Sequence, residues 1–227
     1  MAKRILLAGI VVLLSSVSVA KCALIELEFS GTVSRIAEPG RIDPVPIIEG
    51  CVDVGDSFSG ILKYDTSAPD IRPERHAGRY LYSVGPSGIS LNVGEHVFMT
   101  NPQSVDFEVA ITDDGTGVIL RDYFGALSWD NLPFLEGYVS IDKIGFAAYA
   151  DHTWLSSADL PTSENELLGW NTMRVSVSGT GIGGEAFGFE GDITSMSIIP
   201  EPATLGFLAL GGLVLLVKRK PKGFVED

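Results

Sequence analysis

Between residues 25 and 198 the apolar side chains of this chain return at every second position far more often than at every third or fourth. Ile25, Leu27 and Phe29 alternate with Glu26, Glu28 and Ser30, and the same period runs through Phe58–Tyr64, Tyr80–Val84, Ile89–Val93, His96–Met99 and Val105–Val109. A strand sends successive side chains to opposite faces, so this period gives each segment one apolar and one polar face. The pattern resumes at Val118–Leu120, Ile144–Tyr149, Met173–Ser178 and Phe187–Ile198. Between the runs stand Gly55-Asp56, Gly85-Pro86, Gly94-Glu95, Asn101-Pro102 and Asp113-Asp114-Gly115, residues that supply the backbone conformations hairpins need. Helical spacing is nearly absent, and Ser163 to Trp170 predicts one short helical turn. Many short strands joined by tight turns predict an all-β fold, an antiparallel β-sandwich or jelly-roll-like body. Two longer interruptions, Ala37–Gly50 with Pro44 and Pro46 and Thr66–Gly78, are the loops where binding residues would gather.

The two ends follow a different pattern. Lys3 and Arg4 precede an apolar run from Ile5 to Leu14, and small residues lead to Ser18-Val19-Ala20. A short positive segment, an apolar stretch too short to span a bilayer and small residues at the cut predict a secretory signal peptide, residues 1–20, removed by signal peptidase after Ala20. Cys22 raises the question of a lipidated N-terminus, and Lys21 occupies the position where such processing needs a small residue. At the other end, Pro200-Glu201-Pro202 is followed by fifteen uncharged residues, Ala203 to Val217, and then by Lys218, Arg219, Lys220 and Lys222. As a helix this run rises about 22 Å, a marginal single transmembrane span against a hydrocarbon core of about 30 Å. The basic cluster would hold the tail on the cytoplasmic side and leave the acidic body outside.

Pro200-Glu201-Pro202-Ala203-Thr204, the Leu/Gly-rich span and the Lys/Arg tail, in that order at the end of a chain with a signal peptide, resemble the PEP-CTERM sorting signal of bacterial surface proteins. The resemblance covers Pro200 to Lys222, leaving a short tail, 223–227. It implies a Gram-negative exported protein, held transiently in the inner membrane, recognised at Pro200, Glu201 and Pro202 by an exosortase-like membrane enzyme, and passed to the cell surface or medium. Lys218, Arg219 and Lys220 would be the orientation stop. It also implies an association with exopolysaccharide and biofilm. The run from Val52 to Gly60 is similar to a segment in the bodies of other such proteins.

The body, residues 21–199, carries a net charge of −16, and the whole chain −13. Such a charge repels phosphate backbones and excludes nucleic acid as a partner. His76, His96 and His152 are scattered without a zinc-binding spacing, and no cofactor is called for. Asp113 and Asp114 beside Gly115 could lend oxygen ligands to Ca²⁺, although too few stand together to close a site, and an acidic hairpin loop is the simpler reading. Glu26 and Glu28 share one face of a strand, about 7 Å apart, where a solvated face is simpler than a hydrolase carboxylate pair. Gly55-Asp56-Ser57 mimics the start of a serine esterase motif in a context that reads as a turn into a strand. Trp129, Trp154 and Trp170 would serve either as core or as a sugar-stacking platform. Cys22 and Cys51 would close a loop of about 30 residues, worth ~3–4 kcal/mol as a disulfide in an oxidising compartment, and whether they pair stays open. These features favour an exported, non-enzymatic surface or matrix protein. The alternative is a lectin-like carbohydrate-binding module, with or without Ca²⁺; a polysaccharide hydrolase is third, since no second group completes its site.

Overall fold

The computed structural model describes residues 24–37, 48, 50–113, 121–135, 139–151 and 154–199. Ten strands dominate them: β1 (Leu24–Ala37), β2 (Ser57–Asp65), β3 (Ala77–Tyr82), β4 (Gly88–Val93), β5 (His96–Met99), β6 (Phe107–Thr112), β7 (Arg121–Ser128), β8 (Val139–Asp151), β9 (Thr172–Gly181) and β10 (Ala186–Ile198). The one helix among the described residues is α1, Glu164–Leu167, within the stretch where a single turn was expected. The fold is all-β, as the alternation predicts, and the strands bury alternate side chains: Leu27 and Phe29 face inward on β1, Phe107, Val109 and Ile111 on β6, and on β8 the inward parity changes at the register shift, from Val139 and Ile141 to Ile144 and Phe146. Of the expected strands, Val118–Leu120 falls outside the described residues.

All ten strands belong to one antiparallel sheet in the order β3-β6-β7-β8-β9-β10-β1-β2-β4-β5. From β6 to β10 each strand lies beside the next in sequence, so this half is a meander built on short connections and not on the long crossings of a jelly roll. The sheet doubles over its own apolar face. Ring contacts join strands far apart in the order: Phe29 of β1 to Phe146 of β8 at 5.6 Å, Tyr64 of β2 to Phe124 of β7 at 5.8 Å, and Phe98 of β5 to Phe189 of β10 at 5.3 Å. The result is sandwich-like, with the two layers being halves of one hydrogen-bonded ribbon. Register shifts in β1 at Ser30/Gly31 and Val33/Arg35, and between β8 and β9 at Ile141/Lys143, supply the bends that doubling over requires.

A neighbouring segment bridges each edge of the ribbon over part of its length. Asp70 bridges to Tyr80 along β3, and the Ile71 N–H donates to Arg79 O at 2.9 Å. On the other side Thr100 bridges to Asn131, while the Leu132 N–H donates to Met99 O at 2.9 Å. Part of each edge strand's backbone is thereby paired within the chain.

One end of the roll is filled by the segment from Trp154 to Trp170. Leu155, Ala158, Leu160, Leu167 and Trp170 are buried there, and Trp170 stacks on Phe124. Ser163 caps α1, its hydroxyl accepting from the Glu166 N–H while the Glu166 carboxylate accepts from the Ser163 N–H, so the short turn is satisfied locally. Three groups from the sheet hold the segment in place. The Tyr64 hydroxyl donates to Pro161 O at 2.8 Å, the Tyr80 hydroxyl donates to Ala158 O at 3.1 Å, and the Asp122 carboxylate accepts from the Leu155 N–H at 2.6 Å.

Burial raises the Tyr64 phenol well above its usual value, and burial together with Asp70 and Asp159 pushes Tyr80 up to about 12. In the unfolded chain both phenols ionise near pH 10. The neutral form is thus favoured by the fold, and the stability it contributes is complete below pH 10 and is lost as pH rises above that, over about 10 to 12 for Tyr80 and further up for Tyr64. Urea unfolding at a series of pH values should show a plateau below pH 9.5 and a decline above pH 10. Tyr64→Phe should lower stability by about 1–3 kcal/mol at neutral pH, by leaving Pro161 O without its donor, and should make the alkaline decline shallower.

Two buried rings also depend on glycine. A Cβ at Gly60 would meet the Phe29 ring and, at 2.7 Å, Ser90 O, and Gly31 and Gly191 make the same room for Phe58. Gly60→Ala should cost about 1–3 kcal/mol by overpacking, read as a lower urea midpoint with an unchanged slope.

Candidate functional site

With the inner face consumed by the core, concave surface occurs on the outer face, and two hollows stand out among the described residues. The larger, about 310 Å³, lies over β2, β4 and β5, floored by Ile61, Ile89 and Met99 and walled by Pro86 and Pro102. Its rim carries Lys63, whose ammonium is 3.0 Å from the Glu26 carboxylate. The wall of this hollow is apolar apart from a few hydroxyls, and its charge is already neutralised by the ion pair.

The smaller hollow, about 220 Å³, crosses β7, β8, β9 and β10. Outward positions in this region are unusually small. Gly125 stands opposite Ala147 and Gly145 stands opposite Ser176, in register across β7, β8 and β9. Glycine is disfavoured inside strands and marks places where something approaches the backbone closely. Here the Tyr123 ring lies over Gly125, and a Leu127 methyl lies over Gly145. Tyr123 and Tyr149 are a directly opposed cross-strand pair with centroids 5.2 Å apart. The far wall is Arg174 of β9 and Glu190 of β10, with the Arg174 Nε 3.1 Å from the Asp192 carboxylate. Partial burial, with Tyr149 and Glu108 nearby, pushes the Tyr123 phenol up to about 12, so it remains a neutral donor at any physiological pH. The arrangement presents two aromatic rings on one side, a guanidinium and a carboxylate on the other, and a floor without bulk.

The residues expected from sequence to carry function are dispersed. Ala20, Cys22, Asp114, Pro200, Glu201, Pro202, Lys218, Arg219 and Lys220 lie outside the described residues, as do the signal peptide and the Ala203–Val217 span. Among the described residues no helix is long and apolar enough to cross a membrane. Asp113 is mostly buried at the end of β6, its N–H donating to His76 O at 3.0 Å, and no group of three or more His, Cys, Asp or Glu among the described residues could hold a metal ion. Cys51 is half-buried in the turns that lead to Gly55, whose N–H donates to Val33 O, so it sits toward the opposite end of β1 from Leu24.

Glu26 and Glu28 point outward from β1, and Glu26 is taken up by Lys63. Gly55 has φ +98 and the Asp56 carboxylate accepts from the Asp53 N–H, the turn that the Gly-Asp-Ser run was read as. The three tryptophans do not form one platform. Trp170 is core, while Trp129 follows the last residue of β7 and Trp154 lies beyond the end of β8 that pairs with the first residue of β7. Sequence reasoning missed Tyr123, Tyr149, Arg174 and Glu190 as a group. The available signal was the set of small outward residues on three adjacent strands, Gly125 on β7, Gly145 and Ala147 on β8 and Ser176 on β9. Comparison with protein-family models, curated proteins and solved structures finds no match to this chain.

Proposed function

We propose that this chain is an exported, non-enzymatic surface or matrix protein, a β body delivered by an N-terminal signal peptide and sorted through its C-terminal Pro-Glu-Pro signal. The observation that carries the reading is the order of parts at Pro200 to Lys222, and the fold agrees with it in one respect. The last rung of the body is the Ile199 N–H donating to Glu26 O at 2.8 Å, and Pro200 follows at once. Proline has no N–H to add to a ladder, so Pro200 and Pro202 would stop β10 from continuing and leave the motif free of the sheet. An exosortase-like enzyme would then have an unpaired Pro200-Glu201-Pro202 to read, with Ala203–Val217 as transient anchor in the inner membrane of a Gram-negative cell and Lys218–Lys220 as the cytoplasmic stop. The destination would be the cell surface or a biofilm matrix rich in exopolysaccharide. A catalytic role has no comparable support: the Glu26 and Glu28 carboxylates face solvent from one strand with no opposed partner across a cleft.

Intact-mass measurement on protein recovered from the surface and medium of the producing cell tests the reading. The mature mass should lack residues 1–20 and everything beyond the Pro-Glu-Pro region. Replacing Pro200, Glu201 and Pro202 together by alanine should hold the protein in the membrane fraction with its tail intact. Release of that variant at the normal rate and mass would remove the recognition role.

A further inference from the structure

We propose that the hollow bounded by Tyr123, Tyr149, Arg174 and Glu190 binds one pyranose ring of an uncharged polysaccharide. The ligand class follows from three properties of the site. The hollow is an open trough on a sheet face, so a ring can settle in it while the polymer continues on both sides, and at about 220 Å³ it falls below the ~300 Å³ and upward typical of pockets that enclose whole drug-sized molecules. A sugar ring has an apolar C–H face and a rim of hydroxyls that both donate and accept. The site offers the counterparts of each: the opposed Tyr123 and Tyr149 rings for the C–H face, and on the far wall the Arg174 donors beside the Glu190 acceptor for the hydroxyls. Small residues at Gly145, Ala147 and Ser176 keep the floor low enough for the ring to reach both walls.

Charge selects among glycans. Arg174 is already engaged by Asp192 and Glu108 by Arg79, which leaves the Glu190 carboxylate on the wall, and the body carries −16. A polyuronate or sulfated polymer would be repelled, and a neutral one would not. A peptide strand is a poor occupant for a different reason: backbone groups on this face are spent in the ladders of β7 to β10, and β-augmentation requires an edge. The larger hollow over β2, β4 and β5 lacks aromatic rings and serves as the internal control.

The test is affinity electrophoresis of the full chain, held in a detergent without a sugar headgroup, through gels containing neutral glucan, mannan or galactan, with alginate as the charged comparison. At least one neutral polymer should retard the protein and alginate should not. Tyr149→Ala and Arg174→Ala should each weaken the retardation at least tenfold, Tyr149→Phe should keep it because the ring remains, and Lys63→Ala in the larger hollow should leave it unchanged. Thermal unfolding of each variant separates loss of binding from loss of fold. Failure of all three neutral polymers to retard the protein overturns the proposal, as does retardation that survives both groove substitutions or is matched by alginate. Alanine at Pro200, Glu201 and Pro202 should not alter retardation, so the sorting reading and this one fail independently.

Discussion

A sheet with one apolar face has to bury that face, and the described residues include no layer of helices to bury it against. Its solution is to fold the sheet over itself, and most of the local features of the body follow from that need. Long strands such as β1, β8 and β10 must bend, so they carry bulges or pair across register shifts. Phenylalanines from the two halves must reach one another, so Phe29 and Phe58 lie over glycine positions where any side chain would collide. A doubled sheet also has open ends, and the Trp154–Trp170 segment fills one of them, held by two tyrosine hydroxyls and the Asp122 carboxylate. Those bonds do more than add stability. They satisfy backbone groups of an irregular segment that would otherwise be buried without partners.

The same constraint limits where function can sit. The inner face is packed with aromatic and branched side chains, and neighbouring segments bridge part of each edge. Among the described residues, the outer face offers the concave surface. The charge of the body restricts the outer face to partners that are neutral or cationic, and the termini carry the features that bear on transport. The two proposals are then separable: the sorting reading rests on short terminal segments of the sequence, and the binding reading rests on side chains fixed by strand register.

Much of the body was legible in the sequence because period-two alternation is a local signal. The β2 pattern Phe58, Leu62, Tyr64 inward survives unchanged in the structure, as does the helical turn opened by Ser163. Turn residues were legible too, since Gly55 and Gly94 adopt the positive φ that their positions suggested. Strand order was not, because neighbours such as β1 and β10 are separated by most of the chain and nothing local encodes their pairing. The role of the tryptophans was equally hidden: burial separates Trp170 from Trp129 and Trp154 only after the sheet has rolled. The tyrosine pair escaped notice for a related reason. Tyr123 and Tyr149 are 26 positions apart and meet only through the register of β7 with β8.

Glycine is used in two ways in these strands, and the difference separates the buried face from the outer one. Gly31, Gly60 and Gly191 adjoin the buried Phe29 and Phe58 rings and are demanded by the core, because a Cβ there would strike a ring or a carbonyl that cannot move. Gly125 and Gly145 face outward, where the obstacles to a Cβ are the Tyr123 ring, a Leu127 methyl and the Ser176 hydroxyl, side-chain atoms with solvent on one side. The buried core does not call for glycine at either place, and strand propensity argues against it. At Gly125 the reason is the Tyr123 ring, which rests on the bare backbone of its own strand. Gly145 lines the hollow between the two tyrosines and Arg174, so a larger strand residue there would fill part of it, whereas Gly125 lies under the Tyr123 ring and sets how low that ring can rest on the sheet.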